Sequence, residues 1–248
     1  MRGSNIFIKQ NPKSPISEAF RTLRTNIQFS SIDKPIKSIV ITSSGPGEGK
    51  STVSVNIAAT IAKSGKKVLL IDADLRKPTL HKLFHITNLE GLTNILVDDV
   101  NYTQFLHESK GIEGLDLIGS GPIPPNPAEL VGSNKMKSFI DNMNSIYDMI
   151  ILDTPPVGLV TDSALLSTIV DGTILVCSVG EADIVAAKRS KELLEKVKAN
   201  ILGVVLNKVP INSGGYYKYH YSQYYDSSYY DNGSKDKSRK KRRRRGYD

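Results

Sequence analysis

The sequence predicts an α/β fold, a mainly parallel sheet with helices on both faces, followed by a disordered C-terminal tail. Three observations carry this. Short, near-continuously apolar runs such as Ser38–Thr42, Val68–Ile71 and Ile150–Leu152 alternate with stretches of helical period. That is the pattern of strands buried on both faces and joined by right-handed crossovers. A glycine-rich loop joins the first of these strands to a helix. From about Pro210 the composition turns to Tyr, Gly, Ser, Asn and Asp, with almost nothing apolar besides the rings, so residues 210–248 cannot build a core.

The loop runs Ser43-Ser44-Gly45-Pro46-Gly47-Glu48-Gly49-Lys50-Ser51-Thr52, and a helix follows it from Val53 to Lys63, stopped at Gly65. Strand, glycine-rich loop, Lys-Ser and helix is the context that a phosphate-binding loop requires. Glycines let consecutive backbone N–H groups curl round an anion, and the helix start adds its positive dipole end. Lys50 can reach the β- and γ-phosphates of a nucleotide, and the Ser51 hydroxyl can take a place on Mg²⁺. The strict pattern has Gly at the first position, where this chain has Ser44.

With 248 residues, 39% of them hydrophobic, the chain is long enough for one α/β domain with a substantial core. No apolar run approaches the roughly 18 residues of a membrane span, and no signal-peptide pattern opens the chain. The single cysteine, Cys177, falls in the apolar run Thr173–Ser178, which excludes a disulfide framework and suits a reducing cytoplasm. The net charge of +8 is a property of the tail. Residues 235–248 hold nine Lys or Arg and two Asp, leaving about +1 on everything before them.

Along the chain, residues 1–13 read as a flexible arm and 14–209 as the folded domain. Ser14-Pro15 is a helix start, with Ile16, Phe20, Leu23 and Ile27 on one face and Glu18, Arg21 and Arg24 off it. On spacing alone those three describe a solvated face with local ion pairs. Lys67–Ile71 is a strand running into Asp72 and Asp74, two carboxylates that alternation puts on the same side of the chain. Residues 80–112 read as helical or irregular, with a helix starting near Gly91. Leu115–Ile118 is a short strand, 121–127 a proline-rich extended loop and 128–144 helical. Asp148–Leu152 is a strand ending in Asp153, placed as a second metal-directing carboxylate opposite the loop. A helix over 162–170, a strand over 173–178, an amphipathic helix over 184–198 and a strand over 201–208 complete the pattern. Such sheets bind ligands at the carboxyl edge of their strands, where Lys50, Asp72, Asp74 and Asp153 gather.

The tail has two parts. Tyr216, Tyr217, Tyr219, Tyr221, Tyr224, Tyr225, Tyr229 and Tyr230 are eight of the chain's eleven tyrosines, packed into fifteen residues. After them comes the basic run Arg239–Arg245, which fits a solubilising tail, anionic lipid headgroups or nucleic acid equally well.

Together these residues resemble the bacterial tyrosine kinases of capsule and exopolysaccharide synthesis, over residues 12 to 230. The resemblance rests on the loop Ser44–Thr52, the block Leu69–Arg76, the block Ile150–Pro155 and the tyrosine cluster. A fifth element, Glu18-Ala-Phe-Arg21-Thr-Leu-Arg24, matches the family's ring-forming self-association motif. The resemblance implies transfer of the ATP γ-phosphoryl group to tyrosine, with ATP and Mg²⁺ as cofactors. Gly45, Gly47, Glu48, Gly49, Lys50, Ser51 and Thr52 would bind the nucleotide. Ser51, Asp74 and Asp153 would hold the metal, Asp72 would accept the phenol's proton, and Arg76 belongs to the same catalytic motif. Asn207 resembles the adenine-contacting Asn of related ATPases. The eight clustered tyrosines become the autophosphorylation sites.

The likeness is to the form that is a separate cytoplasmic chain, peripheral at the inner face of the cell membrane. It is activated by the intracellular segment of a transmembrane polysaccharide-export protein and reversed by a phosphotyrosine phosphatase. A ring-shaped homo-oligomer and membrane proximity, through the partner and the basic tail, are implied; a nucleic-acid partner is not. The competing class is a partitioning or division-site ATPase, a nucleotide-switched binding module with the same acidic motifs. Its loop begins Lys-Gly-Gly, and its extra lysine would stand where this chain has Gly45.

Overall fold

The computed structural model describes residues 6–31, 34–98 and 100–210. The tyrosine cluster, the Arg/Lys run and the disorder expected of the tail lie outside them. Among the described residues seven strands form one sheet: β1 (Ser38–Ser43), β2 (Val68–Asp72), β3 (Leu106–Glu108), β4 (Leu115–Ile118), β5 (Met149–Asp153), β6 (Gly172–Ser178) and β7 (Ile201–Asn207). Their order is β3-β4-β2-β5-β1-β6-β7. All pairings are parallel except β3 with β4 at one edge. The mainly parallel sheet is therefore present, with one strand that the sequence reading missed. Leu106–Glu108 fell in a stretch read as helical or irregular, because three residues are too few to show a period of two.

Alternation sends successive strand residues into two different cores. Ile39, Ile41, Leu70, Ile151 and Ile174 pack on one face with α2 (Pro15–Phe29) and α3 (Lys50–Ala62). Val40, Leu69, Ile71, Ile150 and Leu152 pack on the other with α5 (Leu92–Val97) and α7 (Asn134–Met143). Every residue of α3 from Val53 to Ala62 is buried, so the helix that follows the loop lies at the centre of the fold. This burial fixes the loop end of α3 against the carboxyl edge of the sheet.

Several local expectations change. Residues 6–10 are not a loose arm: Ile6 and Ile8 are buried, and α1 (Phe7–Gln10) lies against α3. The Phe7 N–H donates to Asn56 Oδ1 at 2.8 Å, and Lys63 Nζ donates to the Ile8 carbonyl at 2.8 Å. Three consecutive apolar side chains, Ile6, Phe7 and Ile8, over so short a stretch carry no readable period. The segment 128–144 is two helices, α6 (Pro127–Val131) and α7, because Ser133 interrupts it and caps α7 by accepting from the Met136 N–H. The helix expected over 162–170 is shorter, α8 (Asp162–Leu166). On α2, Ser17, Phe20 and Ile27 are buried, whereas Ile16 faces out. No helix among the described residues is long and apolar enough to cross a membrane.

Candidate active site

The carboxyl edge of β1, β2 and β5 carries the expected residues. Gly49, at φ +91°, precedes the first residue of α3, Lys50. A side chain at Gly49 is excluded twice, because the φ is left-handed and a Cβ would lie 2.1 Å from Asn207 Nδ2. Asn207, at the end of β7, donates from that nitrogen to the Glu48 carbonyl at 2.9 Å, so it buttresses the loop from the side. Ser44 has a role of its own. Its hydroxyl donates to Glu48 Oε1, which also accepts the Gly45 N–H at 2.9 Å. A buried carboxylate and a serine thus brace the loop at the position where the strict pattern has Gly.

Asp72 and Asp153 are register partners on the adjacent strands β2 and β5, and both are completely buried. Asp72 Oδ2 accepts the N–H groups of Thr79 and Leu80 at 2.9 Å each, at the start of α4 (Leu80–Phe84). Asp153 Oδ1 accepts the Ser54 hydroxyl at 3.2 Å. Asp74 Oδ2 lies 2.9 Å from Lys50 Nζ and its Oδ1 accepts the Lys77 N–H at 2.9 Å. Lys50 Nζ is also 3.9 Å from Asp153 Oδ1. One ammonium therefore serves two carboxylates directly.

The electrostatics follow from this crowding. Burial, and then the neighbouring Asp153, push the Asp72 carboxyl up to about 7, against the pull of the two α4 amides. Burial likewise holds Asp153 above the usual carboxylate range, opposed by Lys50, Ser51 and Ser54. Burial alone would lower Lys50, but Asp153 and Asp74 outweigh it and hold its pKa above the ordinary value.

Arg76 is tied to an acid outside this group, and Ser51 is shared between Asp153 and Thr79. Arg76 forms a two-pronged pair with Asp162, Nε to Oδ2 at 2.9 Å and Nη2 to Oδ1 at 3.0 Å. Ser51 Oγ accepts the Thr79 hydroxyl at 2.9 Å. Lys50, Ser51, Asp74, Arg76 and Thr79 line a cleft of about 630 Å³, to which Pro155, Pro156, Leu159 and Val160 add an apolar wall. The sequence reading took Asp162 only as a helix start and did not single out Thr79 or the apolar wall. An acid at a helix N-terminus is an ordinary capping choice, so nothing in the pattern marked it.

The donor set fits a magnesium ion. Asp153 Oδ2 is buried without a hydrogen-bond partner among the described residues, the Ser51 hydroxyl stands beside Asp153 on the loop, and Asp74 reaches the same site through Lys50. No group of three or more His, Cys, Asp or Glu among the described residues is placed to hold a metal by itself. Magnesium at phosphate sites takes one or two carboxylates and draws its other oxygens from water and substrate.

On the first helix, Arg21 Nη1 pairs with Glu18 within the helix, and its Nη2 donates to the Pro12 carbonyl at 2.7 Å. Arg24 Nε is buried with no partner among the described residues. The three are together on α2, but two of them are engaged within their own chain.

Fold and site together define a protein of the P-loop NTPase-like α/β class. A family model described as an AAA domain matches residues 36–200. The tyrosine-protein kinase YwqD of Bacillus subtilis is 45% identical over 216 residues, covering 87% of this chain and 91% of its own. The tyrosine-protein kinase CpsD of Streptococcus agalactiae is 38% identical, covering 82% of this chain and 87% of its own. Among solved structures, the chimerical protein CapA2B2 superposes with a TM-score of 0.80 at 42% identity, over 85% of this chain and 92% of that one. The chain belongs to the bacterial tyrosine-protein kinases. The septum site-determining protein MinD of Pyrococcus horikoshii, complexed with Mg-ADP, is also similar, with a TM-score of 0.61 over 77% of each chain. At 22% identity that likeness shows the fold alone, and the division-site reading gains nothing further from it.

Proposed function

We propose that this chain transfers the γ-phosphoryl group of ATP to tyrosines of its own tail, Tyr216 to Tyr230, between subunits, and thereby regulates capsule or exopolysaccharide synthesis and export. The observation that carries the reading is the pairing, in one chain, of a phosphate loop faced by Asp72, Asp74 and Asp153 with a cluster of eight tyrosines.

In this reading the loop from Gly45 to Thr52 wraps the phosphates with its amides, and Asn207 serves the nucleotide by holding the loop in shape. Lys50 leaves Asp74 for the β- and γ-phosphate oxygens and neutralises the charge that develops there. Ser51, Asp74 and Asp153 would hold a magnesium ion, which supplies charge neutralisation across the phosphates. Asp72, with its raised pKa, would hydrogen-bond the incoming phenol and accept its proton as the new O–P bond forms and the bond from the γ-phosphorus to the β,γ-bridging oxygen breaks, ADP leaving with that electron pair. The apolar wall of Pro155, Pro156 and Leu159 gives the phenol ring a surface to lie on. The partners follow from the same reading. They are further copies of the chain in a ring, through Glu18, Arg21 and Arg24; the intracellular segment of a transmembrane export protein; and a phosphotyrosine phosphatase. The chain would then work in the cytoplasm, at the inner face of the membrane.

The test is to incubate the purified full chain with ATP and Mg²⁺ and map phosphate by mass spectrometry. Phosphotyrosine between Tyr216 and Tyr230 is the expected result. Phosphate on Ser or Thr alone, or none, overturns the reading.

A further inference from the structure

We propose that Asp162 is a positioning residue for phosphoryl transfer, acting through Arg76; this rests on the reading that the cleft at Lys50 is the transfer site. Asp162 opens α8 and is completely buried. Both of its oxygens go to one guanidinium, to Nε at 2.9 Å and to Nη2 at 3.0 Å. Such a planar, two-pronged pair fixes the plane and the direction of the guanidinium, which a single contact does not. The other end of the pair is open. The Arg76 side chain keeps 40% of its accessible surface and lines the cleft with Lys50, Ser51 and Asp74. Nη1 takes no part in the pair, so its donors remain for an anion.

The location makes the pair more than a surface ion pair. Arg76 belongs to the loop that leaves β2 just after Asp74. Asp162 ends the connection that leaves β5 after Asp153. The pair is a side-chain strut between the two connections that follow the acid-bearing strands, with Arg76 at the cleft. An arginine on a loop samples many rotamers; one clamped by a buried carboxylate presents its free donors in one place. Misplacement by about 1 Å can lower a rate by roughly a hundredfold, so a fixed guanidinium matters most in the transition state. An isolated buried carboxylate would also be costly, which keeps the two residues paired whether or not a nucleotide is bound.

The experiment compares four full-length chains: unaltered, Asp162→Asn, Arg76→Ala and the double variant. Each is assayed for the initial rate of phosphotyrosine formation across a range of ATP with Mg²⁺, and for ADP affinity and thermal midpoint. Asp162→Asn keeps the shape and loses the charge. It is expected to lower the maximal rate about tenfold while moving the KM for ATP much less. The double variant is expected to match Arg76→Ala, because Asp162 has nothing to position once the guanidinium is gone. Losses that multiply in the double variant, or an unchanged maximal rate in Asp162→Asn, would overturn the proposal. Should Asp162→Asn fail to fold, Arg76→Lys decides, since it keeps the charge and removes the fork. A lowered maximal rate at an unchanged thermal midpoint supports positioning, and a full rate refutes it. An unaltered chain that makes no phosphotyrosine would overturn the reading of the site and this proposal with it. An active one indifferent to both variants overturns this proposal alone.

Discussion

Asp72 and Asp153 stand side by side, in register, at the carboxyl ends of two neighbouring parallel strands, with no residue between them. Strands lie about 4.8 Å apart, so two buried carboxylates at this spacing repel strongly unless a cation or a proton intervenes. Lys50, from the start of α3, supplies the cation, at 3.9 Å from Asp153 and 2.9 Å from Asp74. The balance is partial: one ammonium serves Asp153 and Asp74, while Asp72 is left to answer the crowding with a raised pKa.

From this balance follows the first prediction. Lys50→Met should reduce phosphotyrosine formation by at least about a hundredfold, because no neutral side chain replaces a positioned charge in the transition state. Quantitative mass spectrometry of the tail peptides decides it. Retained activity would place the phosphoryl transfer at another loop.

A second prediction concerns folding at the far edge of the sheet. Asp171 Oδ2 accepts the Lys37 N–H, the Ser38 N–H and the Ser38 hydroxyl, each at 3.0 Å, and its Oδ1 lies 3.0 Å from Lys34 Nζ. Burial works against the charged form, but these donors outweigh it and hold the Asp171 carboxyl below the usual range. A carboxyl whose folded-state pKa is depressed stabilises the fold above its unfolded value of about 3.9 and loses that contribution as pH falls through the folded value. Asp171→Asn should therefore cost about 1–3 kcal/mol in urea unfolding at pH 7. The difference from the unaltered chain should shrink as the pH is taken below 4. A difference that is the same at pH 7 and at pH 3 would show that the charge of Asp171 contributes nothing.

What was legible in the sequence was whatever a local pattern encodes. The loop announces itself by glycines and Lys-Ser between a strand and a helix, and Asp72, Asp74 and Asp153 by acids at the ends of apolar runs. Neither pattern says which strand neighbours which. The register of Asp72 with Asp153, the clamp of Asp162 on Arg76 and the brace of Ser44 on Glu48 are products of strand order and loop packing. Their partners lie far apart in the chain or inside a loop whose path has no period. The short strand β3 and the helix α1 were missed for a related reason, because three or four residues cannot display an alternation.

The third prediction tests whether the tail is modified between subunits. Asp72→Asn removes the proposed proton acceptor and keeps the tail; deletion of 216–230 removes the tail and keeps the site. Neither chain alone should yield phosphotyrosine in the cluster, and the mixture should leave it on the Asp72→Asn chain. A mixture that oligomerises yet stays silent would mean that each subunit modifies itself.

The last prediction concerns assembly, and the structure sharpens it. Arg21 is already engaged by Glu18 and by the Pro12 carbonyl of its own chain, whereas Arg24 Nε is buried with no partner among the described residues. Glu18 and Arg21 lie off the buried face made by Ser17, Phe20 and Ile27, so their charges are not required to hold α2 in place, whereas Arg24, with its Nε buried, lies beside that face. If the three face a neighbouring copy, the contact is between different surfaces and closes into a ring by repetition. Arg21→Ala with Arg24→Ala should then give a folded protein of lower mass in solution, and Arg24→Ala alone should account for most of the change. Phosphorylation should act in the same direction. Each phosphotyrosine adds about −1.5 to −2 charges, so a fully modified cluster would carry roughly −12 to −16. The +7 of residues 235–248 offsets only part of that, and salt screens some of the rest. Tails of like charge gathered in one ring repel, and the repulsion is relieved when subunits separate. Light scattering reads both outcomes. An unchanged mass in the double variant would remove this helix from the interface, and an unchanged mass after phosphorylation, at low salt, would remove the charge switch.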